Sequence, residues 1–240
     1  MPTHTLLSVW AHPDDEAFGP AGLIRAAHEQ GIRTVGVSAT HGEGGKIGDP
    51  PHATTETLGA VRVAELHKAA LIMGVDRIEV WDYPDGGLAD VAPTILLKRV
   101  LALLEEEKPT IVLTFGPDGM YGHPDHIAIH VATTQAFAQY AVMHSQAESP
   151  HLYYVTTEPN RTIAPNDAGD PHAPAPLPAT TIIDVGEYAE IKRQALAAHA
   201  TQHQDWQPLL ERPNWLFTAY LHRAYPPLAA GEAPETTIFS

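Results

Sequence analysis

Six short apolar runs punctuate the chain: "TLLSVW" (5–10), "TVGVSA" (34–39), "RIEVW" (77–81), "TIVLTF" (110–115), "LYYV" (152–155) and "TIIDV" (181–185). Most are continuously apolar rather than alternating, the pattern of strands in a parallel sheet covered on both faces. Between them, apolar positions recur at helical spacing over 21–30, 57–73, 93–107, 125–145 and 188–203. Gly31 and Gly74 stand where the first two of these helices need a left-handed terminating residue. Strand and helix in alternation predict βαβ units. The expected fold is a Rossmann-like, three-layer α/β/α arrangement with a mainly parallel sheet.

The connections are unequal. Those after strands are long and rich in glycine and charge: "HPDDEAFGPAG", "THGEGGKIGDPPH", "DYPDGGLAD" and "GPDGMYGHPDH". Those from helix to strand are short, as in "GIR" and "EEKP". Ligands of open α/β sheets sit outside the carboxyl ends of the strands, so this asymmetry marks the active face. Residues 156–180, rich in proline, alanine, asparagine and aspartate, read as a lid or loop excursion. Residues 204–240 carry Trp206, Trp215, Phe217 and Tyr220 among several prolines. They read as an irregular tail packed on one domain spanning 1–240.

Composition narrows the chemistry. Acidic residues outnumber basic ones 29 to 14, for a net charge of -15. That argues against nucleic acid or an anionic membrane as partner. No apolar run has the length of a membrane span, and the N-terminus lacks a signal-type pattern. The cytoplasm is the expected location, and a homo-oligomer is left open. Cysteine is absent, which excludes disulfides, thiolate metal sites and cysteine nucleophiles. The 15 histidines and the carboxylates are then the strong ligands available to a transition metal.

Two segments concentrate those groups. "WAHPDDE" (10–16) follows the first strand and offers His12, Asp14, Asp15 and Glu16; "YGHPDH" (121–126) follows the fourth and offers Tyr121, His123, Asp125 and His126. Either His-Pro-Asp alone can be a helix start, with aspartate as cap and proline in the first turn. Here it occurs twice, each time after a strand and opening a helix. The carboxyl ends of the first and fourth strands can meet at the switch point of the sheet. Two histidines and one carboxylate form a common ligand set for a catalytic zinc that keeps a position open to water.

These segments resemble the PIG-L/LmbE-like zinc-dependent de-N-acetylases, with "AHPDDE" (11–16) followed later by "GHPDH" (122–126). The blocks "THGEGG" (40–45), "RVAEL" (62–66), "PDGGL" (84–88) and "AHATQ" (198–202) are similar to the family's, in its order. The "HPDDE" form is closer to the mycothiol-pathway branch. The resemblance implies hydrolysis of the acetamide of an N-acetylglucosaminyl small molecule. It implies one zinc per chain, with iron(II) as the alternative, on His12, Asp15 and His126. Asp14 becomes the general base. His123 becomes the group that stabilises the oxyanion and protonates the leaving amine, with Tyr121 as a second oxyanion donor and Asp85 holding His123 in its charged form. Arg62 is expected to bind sugar hydroxyls, Glu43 and Lys46 to lie at the substrate, and His199 to take a substrate-side role.

Blander readings stand beside these. Glu16 either orients His12 or is a first-turn helix charge. Arg62 and Glu65 can be a helical ion pair. His199 and His203, at i and i+4, suit either a second metal or a solvated face, and His130 reads as packing. An amidase acting on a larger thiol conjugate would use the same constellation. A nucleotide-binding protein is disfavoured by the absence of G-x-G-x-x-G and Walker motifs. A non-catalytic carbohydrate-binding homologue has no need of both Asp14 and His123.

Overall fold

The computed structural model describes residues 4–144, 150–159, 172–212 and 214–239. In chain order the elements are β1 (Thr5–Trp10), α1 (Asp15–Phe18), α2 (Ala21–Glu29), β2 (Arg33–Thr40), α3 (Leu58–Met73) and β3 (Arg77–Tyr83). There follow α4 (Pro93–Glu107), β4 (Ile111–Phe115), the single turn α5 (Gly119–Gly122), α6 (Pro124–Met143) and β5 (His151–Val155). The chain continues with β6 (Thr181–Asp184), α7 (Ala189–Ala198), the single turn α8 (His203–Trp206) and β7 (Thr218–Tyr225).

Among the described residues these strands form one sheet in the order β3-β2-β1-β4-β5-β7-β6. The β3-β2-β1-β4-β5 portion is parallel, and β7 runs antiparallel to both of its neighbours. β1 is buried along its whole length, as are β4 and nearly all of β2, which is why these strands read as continuous apolar runs. α4 and α6 pack together on one side, and α2 and α3 pack with α7 on the other, giving the three layers. From β1 the chain steps outward through β2 and β3, then returns to place β4 on β1's other edge. The switch point therefore lies between the carboxyl ends of β1 and β4, where a crevice opens.

Helix boundaries follow local chemistry. α3 ends at Gly74, in the left-handed region at φ 82°, and Gly31 adopts φ 73° just beyond α2. α6 starts with Pro124 in its first turn and with His123 as cap, whose Nδ1 accepts from the Asp125 N–H at 3.2 Å.

Two expectations are corrected. The tail 204–240 is not wholly irregular, because 218–225 forms β7, an interior strand between β5 and β6. Its buried Ala219 and Leu221 alternate with less buried neighbours, the period of an antiparallel strand rather than a continuous run. The helix expected over 188–203 also stops early, at Ala198. Ser145 at the end of the fourth expected helix, and 160–171 within the expected excursion 156–180, lie outside the described residues. No helix among the described residues is long and apolar enough to cross a membrane.

Candidate metal centre and active-site cavity

At the end of β1 the backbone makes an uncommon turn. Asp14 sits at φ 117°, ψ -26°, a left-handed conformation disfavoured for any residue with a Cβ. Its carbonyl starts α1 by accepting from the N–H groups of Ala17 and Phe18. The consecutive side chains of Asp14 and Asp15 both line one cavity of about 680 Å³. At the end of β4, Gly119 (φ 56°) turns the chain so closely that an added Cβ would lie 2.8 Å from the Ile127 side chain. α6 then presents His126 to the same cavity and buries Asp125 completely.

His12, Asp15 and His126 converge. His12 Nδ1 and His126 Nε2 are 3.3 Å apart. The Asp15 oxygens lie 3.5 Å from His126 Nε2 and 3.7 Å from His12 Nδ1. Tetrahedral ligands about 2.0–2.1 Å from a zinc lie roughly 3.3 Å from one another, so the donors are spaced to accept such an ion. The far nitrogens are engaged as metal-bound imidazoles require. His12 Nε2 faces Asp85 Oδ1 at 3.0 Å and Asp125 Oδ2 at 3.2 Å, and His126 Nδ1 faces the Gly119 carbonyl at 3.1 Å. The His126 ring is also stacked on Phe115, centroids 3.9 Å apart. A second grouping, His12, His123 and Asp125, is close enough as well. However, the Asp125 oxygens already accept from the Gly86 and Leu88 N–H groups at 2.8 and 3.0 Å, and Asp125 is not on the cavity wall. The two-nitrogen, one-oxygen set of His12, Asp15 and His126 suits zinc or iron.

Burial works against charge throughout the centre, and local partners outweigh it only at His12 and Asp85. Burial lowers the proton affinity of His12, but hydrogen bonds to Asp125 and Asp85 and the charge of Asp15 raise its pKa to about 10. Burial lifts Asp15 to about 7 against the opposing pull of His12. Asp14 is also raised by burial, with Arg62 opposing. Asp85 goes the other way: burial is outweighed by His12, the Gly44 N–H and Arg62, leaving it at about 2. His123 is lowered by burial and by charge on His12. Tyr121 is raised by burial and by the carboxylates Asp15 and Asp14.

Arg62 lies on the wall, its Nη2 3.1 Å from Asp14 Oδ2 and its Nη1 donating to the Gly42 carbonyl at 2.8 Å. The glycines of "HGEGG" make this approach possible, since a Cβ at Gly42 or Gly45 would come within 2.4 Å of Arg62 Nη1. Tyr121 and His123 line the cavity too, and His130 packs through its Nδ1 on the Phe115 carbonyl.

Other expected roles change. The direct partner of Asp85 is His12, while its charge favours the protonated form of His123 from a distance; its loop is held by the Gly44 N–H and by Glu43, which accepts from Asp85 N–H at 3.0 Å. Glu43 and Lys46 are off the wall, and Lys46 instead forms an exposed ion pair with Asp205 at the rim. Glu65 is buried and bonded to Thr201 rather than to Arg62. His199 is fully buried beneath the site against Glu16 at 2.6 Å, so it does not reach the cavity. Glu16 accepts from the Asp14 N–H and does not touch His12. His203 bonds the Ala200 carbonyl, and the helix ends before the i, i+4 spacing can bring it to His199.

The sequence reading also missed part of the wall. Phe18, Trp215, Leu209 and Leu221 add apolar surface to the cavity wall, and Lys192 lines it too. The Lys192 ammonium is buried, donates to the Trp215 carbonyl at 2.8 Å and lies 4.0 Å from the Trp215 ring centroid. Burial pushes its pKa down to about 7. A lone lysine in an amphipathic helix carries no signal of such a position.

The fold and the cavity define a doubly wound α/β protein with a two-histidine, one-carboxylate centre at its switch point. Residues 7–137 match the family described as PIG-L: GlcNAc-PI de-N-acetylase, and the chain belongs to that family. It is 31% identical over 242 residues to the 1D-myo-inositol 2-acetamido-2-deoxy-alpha-D-glucopyranoside deacetylase of Rhodococcus jostii, covering 84% of this chain and 82% of that one. It is 34% identical over 198 residues to the probable N-acetyl-alpha-D-glucosaminyl L-malate deacetylase 2 of Bacillus anthracis, covering 82% and 80%. The N,N'-diacetylchitobiose deacetylase of Pyrococcus horikoshii shares the fold at a TM-score of 0.69 and 19% identity, over 91% of this chain and 83% of that one.

Proposed function

We propose that this protein is a metal-dependent de-N-acetylase that removes the acetyl group from an N-acetylglucosaminyl small molecule. One observation carries the reading: His12, Asp15 and His126 converge on a cavity wall that also holds Asp14, Tyr121 and His123. The curated relatives, named for glucosaminyl-inositol and glucosaminyl-malate deacetylation, supply the substrate class. Zinc is the proposed ion, with iron(II) as the alternative, and one domain spanning the chain is proposed to do this work in the cytoplasm.

A divalent cation held by His12, Asp15 and His126 would acidify a water and polarise the acetyl carbonyl. The chain's own groups do the rest. Asp14 takes the proton from the attacking water. Its burial raises its proton affinity, and Arg62 fixes its orientation. The Tyr121 hydroxyl donates to the oxyanion that forms, and its raised pKa keeps it a donor across the working pH range. His123 Nδ1 accepts from the Asp125 N–H, so the transferable proton sits on Nε2. That proton goes to the nitrogen as the bond between acetyl carbon and nitrogen breaks, while the proton Asp14 took from the water is returned to His123, so the ring ends neutral and acetate and a free amine leave.

The apolar lining by Phe18, Trp215, Leu209 and Leu221 favours a second reading, an amidase that accepts larger conjugates at the same centre. Fluorescamine detection of released amine decides between them. The panel is N-acetylglucosamine, the glucosaminyl-inositol and glucosaminyl-malate acetamides, N,N'-diacetylchitobiose and an alkylated thiol conjugate. Release from a sugar acetamide supports the first reading and release from the conjugate alone the second. A metal-loaded protein that acts on none of them overturns both.

A further inference from the structure

The conformation of Asp14 needs a cause. In a helix or strand, consecutive side chains point in different directions, about 100° or 180° apart. Asp14 and Asp15 nevertheless share one cavity, and the positive φ at residue 14 accompanies that convergence.

Glu16 engages the backbone of that residue. Its side chain is buried, and its Oε2 accepts from the Asp14 N–H at 2.9 Å. The other oxygen, Oε1, lies 2.6 Å from His199 Nε2. His199 is fully buried at the point where α7 stops. The turn that carries it is pinned on both sides: the His199 carbonyl accepts from Trp206 Nε1 at 3.0 Å, and buried Glu65 accepts from both the N–H and the hydroxyl of Thr201. Neither Glu16 nor His199 is on the cavity wall. The pair therefore makes its hydrogen bond to the site through the backbone of Asp14, while the charges of Glu16 and His199 act on the Asp14 carboxyl in opposite directions.

We propose that the buried Glu16–His199 pair is a positioning device that holds Asp14 at positive φ, so that two consecutive carboxylates face the same centre. One then serves the metal and the other the water. The claim about catalysis rests on the proposed function, in which Asp14 is the base. The claim about the backbone does not. The early end of α7 is part of the device, since a helix continuing past Ala198 would carry His199 away from Glu16.

The test compares His199→Leu, which removes the donor, with His199→Gln, whose amide can replace Nε2. Metal content, kcat, KM and a crystal structure are read for each. His199→Leu is expected to keep its metal and to hold KM within about threefold while kcat falls roughly 100-fold, the low end of what a positioned general base contributes. Its residue 14 is expected to leave the left-handed region, and His199→Gln to restore both kcat and φ. If His199→Leu does not fold, Glu16→Met replaces it, because it removes both acceptor oxygens at similar length. An unchanged kcat, or Asp14 still near its present φ in the donor-less variant, overturns the proposal. Should the wild type release no amine at all, the proposed reaction falls, while the φ of residue 14 still decides the positioning claim.

Discussion

His12 Nε2 lies 3.2 Å from Asp125 Oδ2, joining the two His-Pro-Asp segments across 113 positions of sequence. The same carboxylate accepts from the N–H groups of Gly86 and Leu88. One buried side chain thus ties together the loops that follow β1 and β3 and the start of α6, and with them the orientation of the His12 imidazole.

Replacing Asp125 by alanine strands the buried Leu88 N–H, removes the partner of the exposed Gly86 and leaves the His12 ring with Asp85 alone. The buried unsatisfied group costs about 1–3 kcal/mol, and loss of a partner behind a ligating histidine typically weakens metal binding about 10- to 100-fold. Asp125→Ala is expected to lower the denaturant midpoint and the metal affinity together. A variant with wild-type values of both would remove Asp125 from the architecture of the centre.

His123 is expected to act on the substrate and not on the metal. His123→Ala should therefore retain one equivalent of metal while turnover falls about 100- to 1000-fold, the effect of removing a good oxyanion or proton donor. Metal analysis beside steady-state rates checks this. A metal-free variant would make His123 a ligand.

Much of this was legible in the sequence, for physical reasons. Parallel strands buried on both faces leave unbroken apolar runs, and such a run marks β1 and most of β2 and β4. The duplicated His-Pro-Asp was legible because each copy follows a strand and opens a helix, and the fold brings the two together at the switch point. β7 escaped because its alternation through Tyr220, His222 and Arg223 lacks such a run. The break at Ala198 escaped because no glycine or proline marks it, and the contact between His199 and Glu16 at that point joins segments 183 positions apart. Asp85 against His12 and Lys192 against Trp215 were equally hidden, since segments far apart in the chain meet only in the fold.

Metal uptake should release protons. In the metal-free protein His12 titrates at about 10 and is protonated at neutral pH, while Asp15 titrates at about 7. The metal requires neutral His12 and ionised Asp15. Affinity is expected to rise about tenfold per pH unit between the two values, and more steeply below the lower one. Calorimetry in buffers of different ionisation enthalpy counts the protons. A pH-independent affinity with no proton release would contradict the assignment.

Lys192 should shape the alkaline side of the stability curve. Its pKa falls from 10.5 to about 7 on burial, so between those values the unfolded chain binds a proton that the folded chain does not. Stability attributable to this group therefore rises with pH across that window, by an amount on the order of a few kcal/mol. Lys192→Met, with no titrating group, is expected to flatten the rise and to be at least as stable at pH 7. Denaturant midpoints for both proteins from pH 6 to 10.5 measure it, and parallel curves would count against a depressed lysine.

The central claim is that deacetylation depends on a single metal held by His12, Asp15 and His126. Its most direct test is amine release from the N-acetylglucosaminyl substrate while zinc is titrated into chelator-stripped protein, for the wild type and for His126→Ala. Activity that climbs to a break at one equivalent in the wild type, with none in the variant, is the expected result; full amine release by the stripped protein would contradict the account.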